Sequence, residues 1–320
     1  MFNKKIKILA ALAIILAAFL WALDGVYFTP WILDLGLYDV PIFVFMLHLT
    51  GSVVLSYFLI TRKKELKNLN KKDWLSFILV GIFGGALGTM AIIGAISQVH
   101  ANHLNISVVL ILQKLQPIFA ILLALAWLRE RPRKSFYFWA IIALIGSYLL
   151  TFGWAKADLS AEGMLIPALL AALAAFSFGS STVFSKRAIK KVSHGLGSAM
   201  RFFITSGVML IAILIISGLN WTGVNTGYAG FNGFLAVTWE MIGVFFLIAL
   251  TVGGGAIFIY YWGLKKVMAS RATIYELFYP LSSILLEYFI HDNLLKPGQW
   301  LGAGIILTAI IAITKNKKEN

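Results

Sequence analysis

The sequence predicts an all-α membrane protein of ten transmembrane helices, arranged as two inverted five-helix repeats with both termini cytoplasmic. Three observations predict it. The chain is 60% hydrophobic and 12% charged, with a mean hydropathy of +0.87, whereas a soluble domain is about half apolar and about a quarter charged. Its basic residues gather on one side of the apolar stretches, and its two halves resemble each other in order. Cysteine is absent, which excludes disulfides, thiolate-bound zinc and thiol catalysis.

A helix needs roughly 20 apolar residues to cross the hydrocarbon core. Ten such stretches run near 7–29, 40–61, 75–97, 104–128, 136–154, 163–185, 198–219, 240–263, 271–291 and 298–314. The first follows Lys4, Lys5 and Lys7. Its apolar run is long for a signal peptide and no small-x-small cleavage site closes it, so a retained helix is expected. Between the seventh and eighth, the Gly- and Asn-rich stretch 220–239 reads as a flexible outer loop, a candidate lid. Trp127, Trp139, Trp154, Trp239 and Trp300 fall near span ends, where an aromatic belt belongs.

The loops then assign the orientation. With the first terminus inside and strict alternation, only Lys156 and Lys296 of the 27 lysines and arginines fall in outer segments, and only Lys114 and Arg201 fall within spans. The rest lie in segments on the inner side, as the positive-inside rule requires. A wrong span count would scramble this asymmetry. The formal charge of +14 is thus a signature of topology, and no nucleic-acid partner is needed to explain it.

The halves, read as 1–156 and 157–320, match at several points. "AISQVHA" at 95–101 has the shape of "GLKKVMA" at 263–269. "QKLQPIFAILLALAWLRER" at 113–131 lies on "ELFYPLSSILLEYFIHDNL" at 276–294, Pro117 over Pro280. "PIFVFMLHL" at 41–49 lies on "HGLGSAMRF" at 194–202, pairing His48 with Arg201. "GIFGGALG" at 81–88 and "VGGGAIF" at 252–258 also correspond, and small residues at such spacing let helices approach and slide. Each unit holds five spans. Five is odd, so the second copy enters the bilayer upside down, an arrangement recurrent in secondary transporters with a site near the midplane.

These features resemble the EamA-type proteins of the drug/metabolite transporter superfamily. The residues that carry the resemblance are Trp21, the stretch from Pro117 to "LRER" at 128–131, Arg201, Pro280 and the glycines of "WLGAGIIL" at 300–307. Two positions depart from the pattern: His48 stands where an Arg201-type residue falls in the first copy, and Asn293 where an acidic residue is usual, while Glu130 keeps it in the first copy. The resemblance implies a secondary carrier in the inner (cytoplasmic) membrane that moves an amino acid or related carboxylate-bearing metabolite, in the export direction, by alternating access. The alternatives are a flippase for lipid-linked substrates and a membrane-embedded enzyme. No cofactor or metal is expected. The partners implied are a small-molecule substrate, membrane lipid and, as candidates, a proton and a second copy of the chain.

The candidate site follows from the two prolines. Proline has no N–H, so the carbonyl four residues earlier loses its helical donor; those carbonyls belong to Gln113 and Glu276. Broken backbone is tolerated at membrane depth only where protein or a wet cavity satisfies it. Gln113, Lys114 and Gln116 span about 160° of a helical wheel with Pro117 inside the arc, so that arc is expected to face a central cavity. A lysine at mid-span costs roughly 2.5–3.5 kcal/mol to insert. Two roles fit Lys114: a fixed ion pair with Glu276, or a group that binds an anionic part of the cargo while Glu276 competes for it. Trp21, Tyr279 and His48 neighbour this centre as further candidate contacts. Asp24 and Glu287 fall about 9 Å toward the outside as gating or coupling groups. Arg201, near the inner face, either snorkels to headgroups or gates.

Other signals are weaker. His100 and His103 have i, i+3 spacing on an outer loop and read as solvated. Asn105 and Asn220 match short sequons. No G-x-S-x-G, H-E-x-x-H, Walker A or G-x-G-x-x-G motif is present, so nothing points to ATP drive or to a hydrolase.

Overall fold

The structure is a computed structural model describing residues 4–102, 104, 106–155, 162–291 and 296–315. His103, Asn105, Asn293 and the 156/157 boundary lie outside the described residues. Every regular element among those described is helical. In chain order they are α1 (Lys5–Asp34), α2 (Val40–Thr61), α3 (Lys71–Val99), α4 (Ile111–Leu128, entered through the helix Ile106–Gln113), α5 (Lys134–Phe152), α6 (Leu165–Ala188), α7 (His194–Trp221), α8 (Trp239–Leu264), α9 (the pair Ala269–Tyr275 and Phe278–His291) and α10 (Pro297–Lys315). Nine of them, all but α9, are long and apolar enough to cross a membrane.

Local chemistry sets the helix ends. Asp39 caps α2, its Oδ1 accepting from Ile42 N–H at 3.1 Å, with Pro41 in the first turn, where a missing N–H costs nothing. Asn70 and Asp73 cap each other's backbone at the start of α3. Ser193 caps α7 and Thr238 caps α8. Arg129, at φ 55°, stops α4 in the left-handed region. Leu165, Phe289 and Ile60 stand exposed on the outer surface, where hydrocarbon replaces water as the contact.

Five helices are interrupted, and four of the interruptions correspond between the halves. α4 breaks at Lys114 and Leu115, whose N–H groups reach only three residues back, to Ile111 and Leu112. α9 breaks at Glu276 and Leu277. There Tyr279 N–H bonds the Glu276 carbonyl at 2.9 Å, taking over the acceptor that Pro280 cannot serve. This break is why α9 does not read as one continuous span. α3 carries a π-helical stretch, Val80–Leu87, and α8 unwinds at Thr251 to Gly253; these are the two glycine-rich segments. A further π-helical turn, Asp24–Phe28, interrupts α1. Single π turns inside α-helices often mark functional positions.

Packing has a two-fold character. α2 lies on α7 and α5 on α10, while α1 packs on α8 and α9 as α6 packs on α3 and α4. Exchanging the halves leaves this set of pairs unchanged. Small residues make the approach possible. A Cβ on Gly302 would run into the backbone of Leu150 and Gly146, one on Gly85 into Thr205, and one on Gly84 into Ser181.

The 220–239 segment is more ordered than the sequence suggests. It contains the short 3₁₀ helix Gly230–Ala236. Asn220 Nδ2 donates to the Tyr228 carbonyl at 2.8 Å, and Asp39 Oδ2 accepts from Ala229 N–H at 2.8 Å. Asn and Gly here serve local turn bonds, which a flexible reading of the same composition overlooks.

Candidate functional site

The interrupted helices meet around one cavity of about 230 Å3. Its wall includes Trp21, Asp24, His48, Gln113, Lys114, Gln116, Pro117, Arg201, Glu276 and Tyr279. The structure thus places ten of the sequence-predicted residues around a common space. Glu287 and Pro280 are not on this wall. Glu287 sits three turns along α9 from Glu276, away from the cavity wall that holds Asp24.

Lys114 is 7% exposed. Its Nζ donates to Gln113 Oε1 at 3.1 Å and lies 3.7 Å from the centre of the Tyr279 ring, a cation–π contact. An ammonium has three donors, and Gln113 takes one.

Glu276 is committed elsewhere. Oε2 accepts from Gln116 Nε2 at 2.5 Å; Oε1 accepts from Tyr260 OH at 2.6 Å and from Thr182 Oγ1 at 3.5 Å. Gln116 comes from the α4 break, Tyr260 from α8 and Thr182 from α6, so one carboxylate ties four helices together. The Lys114–Glu276 ion pair, one of the two roles read for Lys114, is therefore not formed. Glu276 is satisfied by other partners, Lys114 spends one donor on Gln113, and each sits at the first residue of its own helix break.

Asp24 contrasts with Glu276. It opens the π-helical turn of α1 and faces the cavity, and its Oδ1 is buried with no hydrogen-bond partner among the described residues. Gly25 lets α1 close on Tyr279: a Cβ there would stand 2.8 Å from the phenol oxygen. Asp24 and Lys114 thus flank one aromatic ring, one beside its hydroxyl end and the other over its face.

His48 is buried and donates from Nδ1 to the Val44 carbonyl at 2.8 Å, with its ring 5.2 Å from that of Phe202. Arg201 does not snorkel. It turns into the cavity wall, donating from Nη2 to the Gly84 carbonyl at 2.7 Å and from Nη1 to Ser181 Oγ at 3.4 Å. The π-helical stretch of α3 frees a carbonyl for it, which a straight-helix depth estimate does not anticipate.

Sequence reasoning missed Tyr260, Thr182, Ser181 and Gly179. The hydroxyls looked like ordinary apolar-span residues, since Ser and Thr satisfy themselves within a helix. Gly179 of α6 lies against the α4 break, where a Cβ would meet the Gln116 carbonyl at 2.7 Å and Ala120 N at 3.0 Å. Trp21 stands 5.1 Å from Tyr260, ring centre to ring centre. Phe43, Phe178 and Phe202 add further rings to the wall.

A family model described as the EamA-like transporter family matches the chain in two copies, over residues 8–152 and 165–315. The chain belongs to the EamA-like transporter family. It is 41% identical over 309 residues to a protein of Fusobacterium nucleatum subsp. nucleatum named riboflavin transporter ImpX, covering 95% of this chain and 97% of that one. It is 29% identical over 198 residues to the uncharacterized transporter YwfM of Bacillus subtilis, covering 62% of this chain and 60% of that one. A chain of solved crystal structure superposes with a TM-score of 0.67 over 95% of this chain and 96% of its own, at 16% identity, a likeness of fold alone. The EamA-like chain is therefore a multi-pass membrane transporter with a two-repeat architecture, and the cavity at its helix breaks is the candidate place for its cargo.

Proposed function

We propose that the chain is a secondary carrier of riboflavin or a closely similar flat heterocycle, working by alternating access in the inner membrane. In this reading α9 is a tenth crossing despite its break, both termini are cytoplasmic, and the units 1–156 and 157–320 are inverted copies. The two-fold set of helix pairs and the paired interruptions support it.

One observation carries the cargo reading: Asp24 offers an unpartnered acceptor and Lys114 offers unspent donors on the two flanks of Tyr279. A cargo that sets a donor against Asp24 and acceptors against Lys114 satisfies both. The imide edge of a flavin ring system carries an N–H between two carbonyls, and its flat face suits the rings of Trp21, Tyr260 and Tyr279 on the wall. The name of the ImpX relative points to the same compound. A zwitterionic amino acid is the second reading, favoured by the opposite charges of the same two side chains.

The test is uptake into proteoliposomes of labelled riboflavin, a panel of amino acids and organic acids, with and without a proton gradient. Riboflavin flux that unlabelled riboflavin competes away is expected. Amino-acid flux without riboflavin flux would replace the first cargo with the second, and a gradient-dependent rate would identify the proton as the coupling ion. Turnover of a lipid-linked substrate with no soluble flux would overturn the carrier reading.

A further inference from the structure

The cavity wall ends short of the face that bears the basic loops. No residue of the segments 62–72, 129–134, 186–191 or 265–268 belongs to its wall. Beneath it, three carboxylates of the first half bind the second half. Glu65 accepts from Ser193 N–H at 2.5 Å, Asp73 pairs with Lys191 at 2.6 Å, and Glu130 engages the start of α9. Glu130 is the most heavily bonded. Oε1 accepts from Ala269 N–H at 2.8 Å, and Oε2 accepts from Ser270 N–H at 3.0 Å and Ser270 Oγ at 2.7 Å.

The helix that Glu130 holds is Ala269–Tyr275, and the next residue is Glu276. At 1.5 Å per residue this is a rod of about 10 Å, with the basic face at one end and the four-helix tie of Glu276 at the other. A carboxylate also suits the positive end of the helix dipole. From the other side of the α8–α9 turn, Lys186 Nζ donates to the carbonyls of Leu264, Lys265 and Val267 at 2.7, 3.1 and 2.6 Å. The turn is therefore gripped at the end of one helix and the start of the next.

We propose that Glu130 is a positioning residue for transport: it pins the first half of α9, keeps the basic face closed and sets where Glu276 stands in the cavity. Opening toward the basic face then requires Glu130 to leave Ala269 and Ser270. The inference rests on the carrier reading, but it does not depend on the cargo.

The absence of cysteine gives a clean test. A Thr89→Cys probe on the cavity wall is labelled with a membrane-impermeant maleimide from each face separately, in the full-length chain with Glu130, Glu130→Ala or Glu130→Gln. Loss of a charge-assisted hydrogen bond shifts an equilibrium by about tenfold or more. Glu130→Ala should raise labelling from the basic face by about that factor and lower it from the opposite face. Glu130→Gln, whose amide oxygen still accepts, should fall between, and it carries the same test if the alanine variant fails to fold. Unchanged labelling from the basic face, or a rise from both faces as in general loosening, overturns the proposal. A labelling shift in a protein that moves no riboflavin supports the clamp and overturns the cargo assignment alone.

Discussion

At Lys114 a charge inside the membrane is explained by what surrounds it. Gln113 takes one donor and the Tyr279 ring faces the ammonium, so the charge is solvated by protein without being neutralised by Glu276. Replacing it should leave the fold intact, because only one side-chain hydrogen bond and one cation–π contact, about 1 kcal/mol each, are lost. Lys114→Gln is therefore expected to retain expression and melting temperature while uptake falls at least tenfold. Loss of the folded protein instead would assign Lys114 to the scaffold. Asp24→Asn keeps the shape of the side chain and alters the acceptor. It should raise KM for a cargo with an N–H donor and leave unaffected an analogue in which that nitrogen is methylated, since the analogue has no proton to give. Tyr260→Phe acts on Glu276. Removing the 2.6 Å bond leaves a buried carboxylate one donor short, a loss of about 1.5–3 kcal/mol, so a lower melting temperature is expected along with any change in rate. The sequence revealed Lys114, Gln113, Gln116 and Glu276 as a group because charge and amide are conspicuous in apolar ground. It could not reveal how they pair. Which carboxylate is satisfied and which is left open depends on hydroxyls from α6 and α8 that look unremarkable in one dimension.

Among the elements, interruption is the common theme. α3, α4, α8 and α9 each lose regular hydrogen bonding near the cavity, two at glycine-rich stretches and two just before prolines. Prolines announce themselves, and the α4 and α9 breaks were readable from Pro117 and Pro280. The π-helical turn of α1 was overlooked although Pro30 follows it, whose missing N–H frees the Val26 carbonyl inside the turn. Close approach of α6 to the α4 break is a property of the pair. Gly179→Leu should drive a side chain into the Gln116 backbone, with an overpacking cost of about 1–3 kcal/mol and displacement of Gln116 from Glu276. The expected outcome is reduced stability together with reduced cargo affinity, read by thermal unfolding and, for the proposed cargo, by quenching of riboflavin fluorescence on binding. A stable variant with unaltered affinity would mean that α6 yields easily and that the break is set by α4 alone.

Over the whole molecule, lysine and arginine concentrate at helix ends and in the connections between helices, because insertion energetics act on every loop at once. The residues that join the halves were harder to foresee. Glu130 was noted for its place after the first proline, but its partners on α9 are remote in sequence and only the fold brings them together. The α5–α10 pair illustrates the same limit. "WLGAGIIL" shows the glycines, while the backbone contact of Gly302 with Gly146 and Leu150 needs both helices. Gly302→Val should abolish that contact and cost a few kcal/mol, visible as poor detergent-solubilised yield rather than as a selective defect in uptake.

That glycine seam has a practical consequence. Neither α5 nor α10 contributes a residue to the cavity wall, and their backbones are locked together, so the two helices supply a stationary datum from which motion elsewhere is measured. Spin labels placed on α5 and on the Phe278–His291 half of α9 should report a single narrow distance distribution in the resting chain and a second one once cargo is added, while a control pair across the seam itself stays fixed.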